Sequence, residues 1–198
     1  MKRMIRWATV AMVFSIIVSC SNAMQLAYPK PQPKMPVKGE VSVKLVDQRI
    51  PERGGDEPLK VGIVRNTVGM PFPLMASPER EPTKVMRELL SDCLEASGYK
   101  VVDASLQVPQ LHAVLKVFWS DGYQHSRMGL LMPIELKGQT GGISLWSSAV
   151  NINTGKTWGM GGFSQFNGAF NKMLEEAKDD LLDKFAKPDF EEAYLSLR

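Results

Sequence analysis

Nucleophilic or acid-base chemistry in this 198-residue chain would have to come from few side chains: the thiols of Cys20 and Cys93 and the imidazoles of His112 and His125. A cysteine nucleophile needs a nearby base or cation to lower its pKa. Cys93 instead falls among Met86, Leu89, Leu90 and Leu94 at helical core spacing, so it is expected as a small buried hydrophobe. Asp121 precedes His125 closely enough to form an acid-base pair, but hydrogen bonding at a strand end explains the same residues. Two histidines on or near one strand cannot hold a metal without further ligands, and no others stand out. The chain has no Gly-x-Ser-x-Gly elbow, no His-Glu-x-x-His, no cysteine pair at metal spacing and no P-loop. Gly159-Met160-Gly161-Gly162 lacks the phosphate-loop spacing and any following Lys-Ser/Thr, and reads as a glycine-rich edge strand. No catalytic residue, metal ligand or cofactor is assigned, and the chain is not expected to be an enzyme.

The chemistry the sequence does predict is modification of Cys20. Lys2, Arg3 and Arg6 precede an apolar stretch from Trp7 to Val18. At about a dozen residues that stretch is short of the roughly 20 needed to cross a bilayer as a helix, and suits a secretory signal. It ends in Ile17-Val18-Ser19-Cys20, which resembles the lipobox of bacterial lipoproteins. The resemblance implies that residues 1–19 are removed and that Cys20 receives a diacylglycerol on its thiol and an acyl group on its new amine. Each buried methylene contributes ~0.8 kcal/mol, so several chains together form a durable tether. Ser21 follows, where an aspartate tends to retain such proteins in the inner membrane, so the expected location is the periplasm-facing side of the outer membrane.

Processing also changes the charge balance. The 24 basic residues less Lys2, Arg3 and Arg6 leave 21, against 21 acidic ones, so the mature chain is formally neutral. A nucleic-acid reader would show a clustered basic face, and none is visible. With Cys20 acylated, Cys93 is left without a disulfide partner.

Residues 20–38 carry Pro29, Pro31, Pro33 and Pro36, which favours extended polyproline II. The stretch reads as a tether reaching on the order of 50 Å, able to lift the domain off the bilayer. Residues 39–198 then suit a single periplasmic domain. Val41, Val43 and Leu45 alternate, as do Leu59, Val61 and Ile63, predicting two strands. Asn66 to Glu81 reads as a proline-rich loop. A helix is predicted from Pro82 or Thr83, with Val85, Met86, Leu89, Leu90, Cys93 and Leu94 buried and Gly98 as its left-handed stop. Tyr99 to Val102 forms a short strand. A long strand follows, with Leu111, Ala113, Leu115, Val117 and Trp119 on one side and His112, Val114, Lys116, Phe118 and Ser120 on the other. Strands are also expected at Leu130 to Leu136 and Ile143 to Ile152, a hairpin turn at Asn153-Thr154-Gly155-Lys156, and a returning strand at Trp158 to Phe163. Ala169 to Ala186 forms a helix with Phe170, Met173, Leu174, Ala177, Leu181, Leu182 and Phe185 inward, and Phe190 to Leu197 could add another helical turn. The fold class is α+β, a mainly antiparallel sheet with two helices packed on one face.

This order of elements resembles that of small envelope lipoproteins of the YajG type, and more distantly the sheet-and-helix domains of LptE and of the N-terminal region of TolB. The residues that carry it are Asp47-Gln48-Arg49 closing the first strand, the helix ending Glu95-Ala96-Ser97-Gly98-Tyr99, and the last amphipathic helix after Phe163. The resemblance implies a non-enzymatic role in envelope maintenance or assembly.

Two segments are unusually apolar for connections, Val68 to Met75 and Met128 to Pro133. Pliable methionines beside prolines suit an adaptable contact surface. Met70, Phe72, Leu74, Leu130 and Leu131 are the candidate partner-binding residues, unless both segments fold back over the core. The leading reading is a membrane-anchored structural or assembly factor that binds another envelope protein. The alternatives are a lipid- or glycan-binding module with a pocket lined by Phe118, Trp146 and Trp158, and a hydrolase with an unrecognised site. Cys20→Ala is expected to leave an unprocessed or soluble protein. Mature Cys20→Ala protein that still fractionates with membranes in salt buffer would contradict the lipid anchor.

Overall fold

Alternating apolar residues place Val41, Val43 and Leu45 on one face of a strand, and the computed structural model, which describes residues 23–65, 68–103, 108–122, 126–138, 143–156 and 163–197, extends this principle to eight strands. Cys20, the signal segment, His125, Trp158 and the Gly159–Gly162 run lie outside the described residues. The strands are β1 (Gly39–Asp47), β2 (Lys60–Arg65), β3 (Pro71–Met75), β4 (Tyr99–Val102), β5 (Gln110–Leu115), β6 (Val117–Gly122), β7 (Ser126–Lys137) and β8 (Ser144–Lys156). The helices are α1 (Pro82–Ala96), α2 (Phe163–Ala186) and α3 (Pro188–Ser196). Pro82 opens α1, and Gly98, at φ 95°, takes the left-handed conformation just beyond its end.

The class is α+β, as expected, but the sheet is mixed. β1 lies parallel to both β4 and β5, and β2 parallel to β6, while β2–β3, β5–β7, β6–β7 and β7–β8 are antiparallel. β4 pairs parallel with β1 because the chain leaves β3 through α1 and returns at the opposite edge, a crossover no hairpin can make. Three helices rather than two pack on one face. Phe118 stacks on Phe170 of α2, and Trp146 meets Phe185 and Phe190.

Four further expectations are corrected. The proline-rich loop contains β3, paired from Arg65↔Pro71 to Lys60↔Met75, because an edge strand tolerates prolines whose missing N–H faces away from the ladder. The predicted turn at Asn153 to Lys156 is the end of β8, whose pairing with β7 continues to Ser126↔Lys156. Phe163 begins α2 rather than ending a strand, so that helix starts earlier than Ala169. The long strand is broken at Lys116. Ala113 pairs with Ile134 but Val117 pairs with Leu131, so four steps on one strand face three on β7, which is a β-bulge. The extra residue reverses the pleat: Leu111, Ala113 and Leu115 point to the helices, but beyond the bulge Phe118 and Ser120 do so, and Val117 and Trp119 turn to the open face. Pro133 sits opposite this interruption, where β7 needs no N–H.

β1 and β2 lie on the same side of this bulged strand, one beside β5 and the other beside β6. Arg49 joins them. Its buried side chain donates Nη1–H to the Lys60 carbonyl (3.0 Å) and Nη2–H to the Pro58 carbonyl (3.1 Å), and its Nη2 pairs with Asp47 Oδ2 at 2.8 Å. Gly54 and Gly55 are required beside it. A Cβ on Gly54 would lie 2.4 Å from the Lys60 carbonyl oxygen, and one on Gly55 would lie 2.2 Å from that of Arg49.

The proline-rich stretch is not the free tether its composition suggests. Met24 and Leu26 are 1% and 0% exposed and belong to the core. From there the chain runs as a strap along α1 and α2. Met24 forms a parallel bridge with Ala76, with its N–H on the Met75 carbonyl at 2.8 Å, and the strap then reaches the far end of α1. Lys34 N–H donates to the Glu95 carbonyl at 3.0 Å and Lys38 N–H to that of Gly98 at 2.6 Å. An extended strap has backbone groups to satisfy, and prolines reduce the number of donors needing partners. The folded unit therefore begins by Met24, not at residue 39. Leu26→Ala is expected to cost about 3 kcal/mol in urea unfolding through the cavity it leaves. A cost near zero would mean the strap is only loosely laid on the surface. Arg49→Ala is expected to cost a similar ~3 kcal/mol, since it strips two carbonyls and a carboxylate of their donor. Unchanged denaturation midpoints would show that the two halves of the sheet hold without it.

Candidate docking surfaces

The strap is held by side chains as well as backbone. Asn167 and Asn171, one turn apart on α2, accept the N–H groups of Gln25 and Ala27 at 2.8 and 2.9 Å. On the other side Arg80 Nε donates to the Leu26 carbonyl at 2.6 Å. Asp92 of α1 anchors the middle. It accepts from the Tyr28 hydroxyl at 2.8 Å and pairs with Lys30 at 2.8 Å. Burial, followed by the hydrogen bond to Asp92, raises the Tyr28 hydroxyl above its ordinary pKa, and the bond to Asp92 raises the Lys30 ammonium. Both groups keep their protons throughout the physiological range. Sequence reasoning began this helix at Ala169 and so missed the Asn167 and Asn171 pair, whose one-turn spacing on α2 is seen only once the helix start is known.

The five apolar residues nominated from sequence divide among three environments. Leu74 and Leu130 are core residues facing the helices. Met70 and Phe72 are exposed, and with Val68 they make an apolar ridge leading into the edge strand β3. Phe72 and Leu74 share one face, since both oppose β2 residues of the same pleat, Val64 and Gly62, but Phe72 projects beyond the cover that buries Leu74. Leu131 is partly exposed on the opposite face of the sheet. The Met128 to Pro133 segment is therefore the interior of β7 rather than a connection, and the two segments do not form one surface.

No α-helix covers that opposite face among the described residues, and only the short turn Pro51–Arg53 lies against it, beside β2 and β6. Val114, Val117, Leu131, Pro133 and Ala149 are partly exposed there, around the indole of Trp119. A groove of about 380 Å³ runs over Val117, Trp119, Gly129 and Leu131, rimmed by Arg53, Asp121, Arg127, Asn151 and Asn153. Sequence reasoning assigned Val117 and Trp119 to the face that carries Leu115, which the bulge makes the core, and so missed this surface.

The other chemical candidates are placed as follows. Cys93 is fully buried, its Sγ 3.7 Å from the Lys178 carbonyl, and burial pushes its thiol up to about 12. His112 lies opposite Glu135 on the open face, and its imidazole is lowered by burial and then by Lys137 and Lys44. Asp121 pairs in register with Arg127. Phe118 and Trp146, nominated for a ligand pocket, are core residues, so that pocket does not form from them. Among the described residues no group of three His, Cys, Asp or Glu is placed to hold a metal ion, and no helix is long and apolar enough to cross a membrane.

No protein-family model matches the chain, and no curated protein matches it significantly, so the YajG-type resemblance rests on the residues quoted for it. Solved structures are similar. A Xanthomonas campestris protein of the DUF330 family superposes with a TM-score of 0.54 at 13% identity, over 88% of this chain and 93% of that one. A Helicobacter pylori neuraminyllactose-binding hemagglutinin homologue gives 0.48 at 12% identity, over 87% and 100%. A Neisseria meningitidis lipoprotein gives 0.38 at 13% identity, over 70% and 95%. Of these three, the first alone is close enough to identify a shared fold, and this chain has the α+β fold of that Xanthomonas protein.

Proposed function

We propose that the chain is a lipid-anchored envelope protein of the outer membrane, without catalytic activity, that binds a partner protein through the open face of its sheet. The observation that carries this reading is the composition of that face. A sheet with helices on one side normally alternates apolar-in with polar-out, so its solvated face is polar. Here Val114, Val117, Trp119, Leu131, Pro133 and Ala149 form an apolar patch among the outward positions, which elsewhere carry polar residues such as Lys44, His112, Glu135 and Ser147. Their ring of Arg53, Asp121, Arg127, Asn151 and Asn153 matches the apolar centre and polar rim of a protein interface. A glycan is disfavoured because the Trp119 indole is only 8% exposed and offers little ring face for stacking. The buried Cys93 thiol, held protonated, supports the non-catalytic reading. The Ile17-Val18-Ser19-Cys20 tetrad supports the anchor.

Leu131→Arg places a charge at the centre of the face while leaving the core untouched. With a photo-crosslinker at Asn151 in living cells, the parent protein is expected to give a discrete protein adduct, and Leu131→Arg is expected to lose it at an unchanged melting temperature. An uncompensated charge buried at the centre of such an interface costs on the order of 3 kcal/mol. An adduct retained at full yield in Leu131→Arg would remove the open face as the docking surface.

A further inference from the structure

We infer that the ridge formed by Val68, Met70 and Phe72 is a second membrane contact, entering the interfacial layer of the same bilayer that holds the acyl chains of Cys20. This rests on the lipid-anchor reading above and adds to it an orientation. Three observations carry it.

The first is reach. Met24 is locked into the fold by its bridge to Ala76, so only four steps of chain separate Cys20 from a fixed point. At no more than ~3.6 Å per residue the acylated residue lies within ~14 Å of Met24, and the domain cannot stand off from the bilayer. The second is position. Phe72 is four residues before Ala76 along β3, about 13 Å at strand spacing. The bridge is parallel, so the chain comes into Met24 from the side on which β3 begins, the side of the ridge. Acyl chains and ridge are thus brought to one end of the molecule. The third is chemistry. Val68, Met70 and Phe72 are 75%, 55% and 49% exposed, and no charged residue occurs from 66 to 78. Pro71 and Pro73 restrict the backbone on either side of Phe72, which lowers the entropy lost on insertion. Arg65, exposed and opposite Pro71, stands at the base of the ridge, where a guanidinium can reach lipid phosphates. Acyl chains alone leave the domain free to rotate about its first residue. A second apolar point next to the first fixes the β3 edge toward the membrane and leaves the open sheet face free.

The test uses the mature, lipidated full-length protein in vesicles of phosphatidylcholine with phosphatidylglycerol, carrying a nitroxide at Met70→Cys or, separately, at Asn151→Cys. The buried Cys93 stays unlabelled in the native protein. Collision with oxygen and with a water-soluble nickel chelate then reports depth. The label at position 70 is expected to lose nickel accessibility on vesicle binding, and the label at 151 to keep it. Phe72→Asp, at a half-exposed position, is expected to melt normally, still float with vesicles, and return the position-70 label to water. Equal nickel accessibility at 70 and 151 on floating vesicles overturns the inference while leaving the anchor standing. Shielding of position 70 that arises only when solubilised membrane proteins are added overturns it in favour of a protein contact. Failure of the parent protein to float with vesicles overturns the anchor reading and this inference together.

Discussion

The fold turns on a buried charge. Where the strand formed by β5 and β6 bulges at Lys116, the two strands beside it, β1 and β2, have no common ladder to align them. Arg49 spans the gap. A guanidinium taken out of water is costly unless its donors are matched, and here the Asp47 carboxylate balances the charge while the carbonyls of Pro58 and Lys60 take further donors. Gly54 and Gly55 leave the room this needs. The clasp sets where β2 begins, and β2 positions β3, so the ridge and the bridge that receives Met24 both depend on it. The Asp47-Gln48-Arg49 motif noted in the sequence thus has a structural reason.

Under the proposed lipid anchor, the strap turns the modification of Cys20 into a geometrical constraint. A polyproline tether would let the domain range tens of ångströms from the bilayer, whereas a chain built into the core from Met24 brings the domain down to it. Burial of Met24 and Leu26, together with the Asn167, Asn171 and Asp92 contacts, spreads the attachment over both long helices. Under the proposed reading, the ridge and the open sheet face have separate tasks. One lies at the β3 edge beside the anchor and the other on the broad outer side, so membrane contact at the first leaves the second accessible.

Sequence alone determined the elements whose pattern is local. The apolar spacing from Val85 to Leu94, closed by Gly98, is sufficient for α1, because a helix buries a stripe defined by its own residues and ends where the backbone turns left-handed. Alternation in β1 and the inward residues of α2 are legible for the same reason, and so are the α+β class and the apolar character of Val68 to Phe72. Tertiary structure decided what depends on distant partners. One extra residue at Lys116 exchanged the faces of Phe118 and Trp119, because strand alternation has a period of two and a single insertion inverts everything after it. β3 became a strand despite its prolines because β2 offered an edge, and Leu130 became core while Leu131 did not because β7 lies under the helices. The proline-rich stretch looked like a tether because its own composition favours extension. It is a strap because an extended chain still has hydrogen-bonding groups and apolar side chains to satisfy, and the end of β3, the segment after it and the helices α1 and α2 supply their partners.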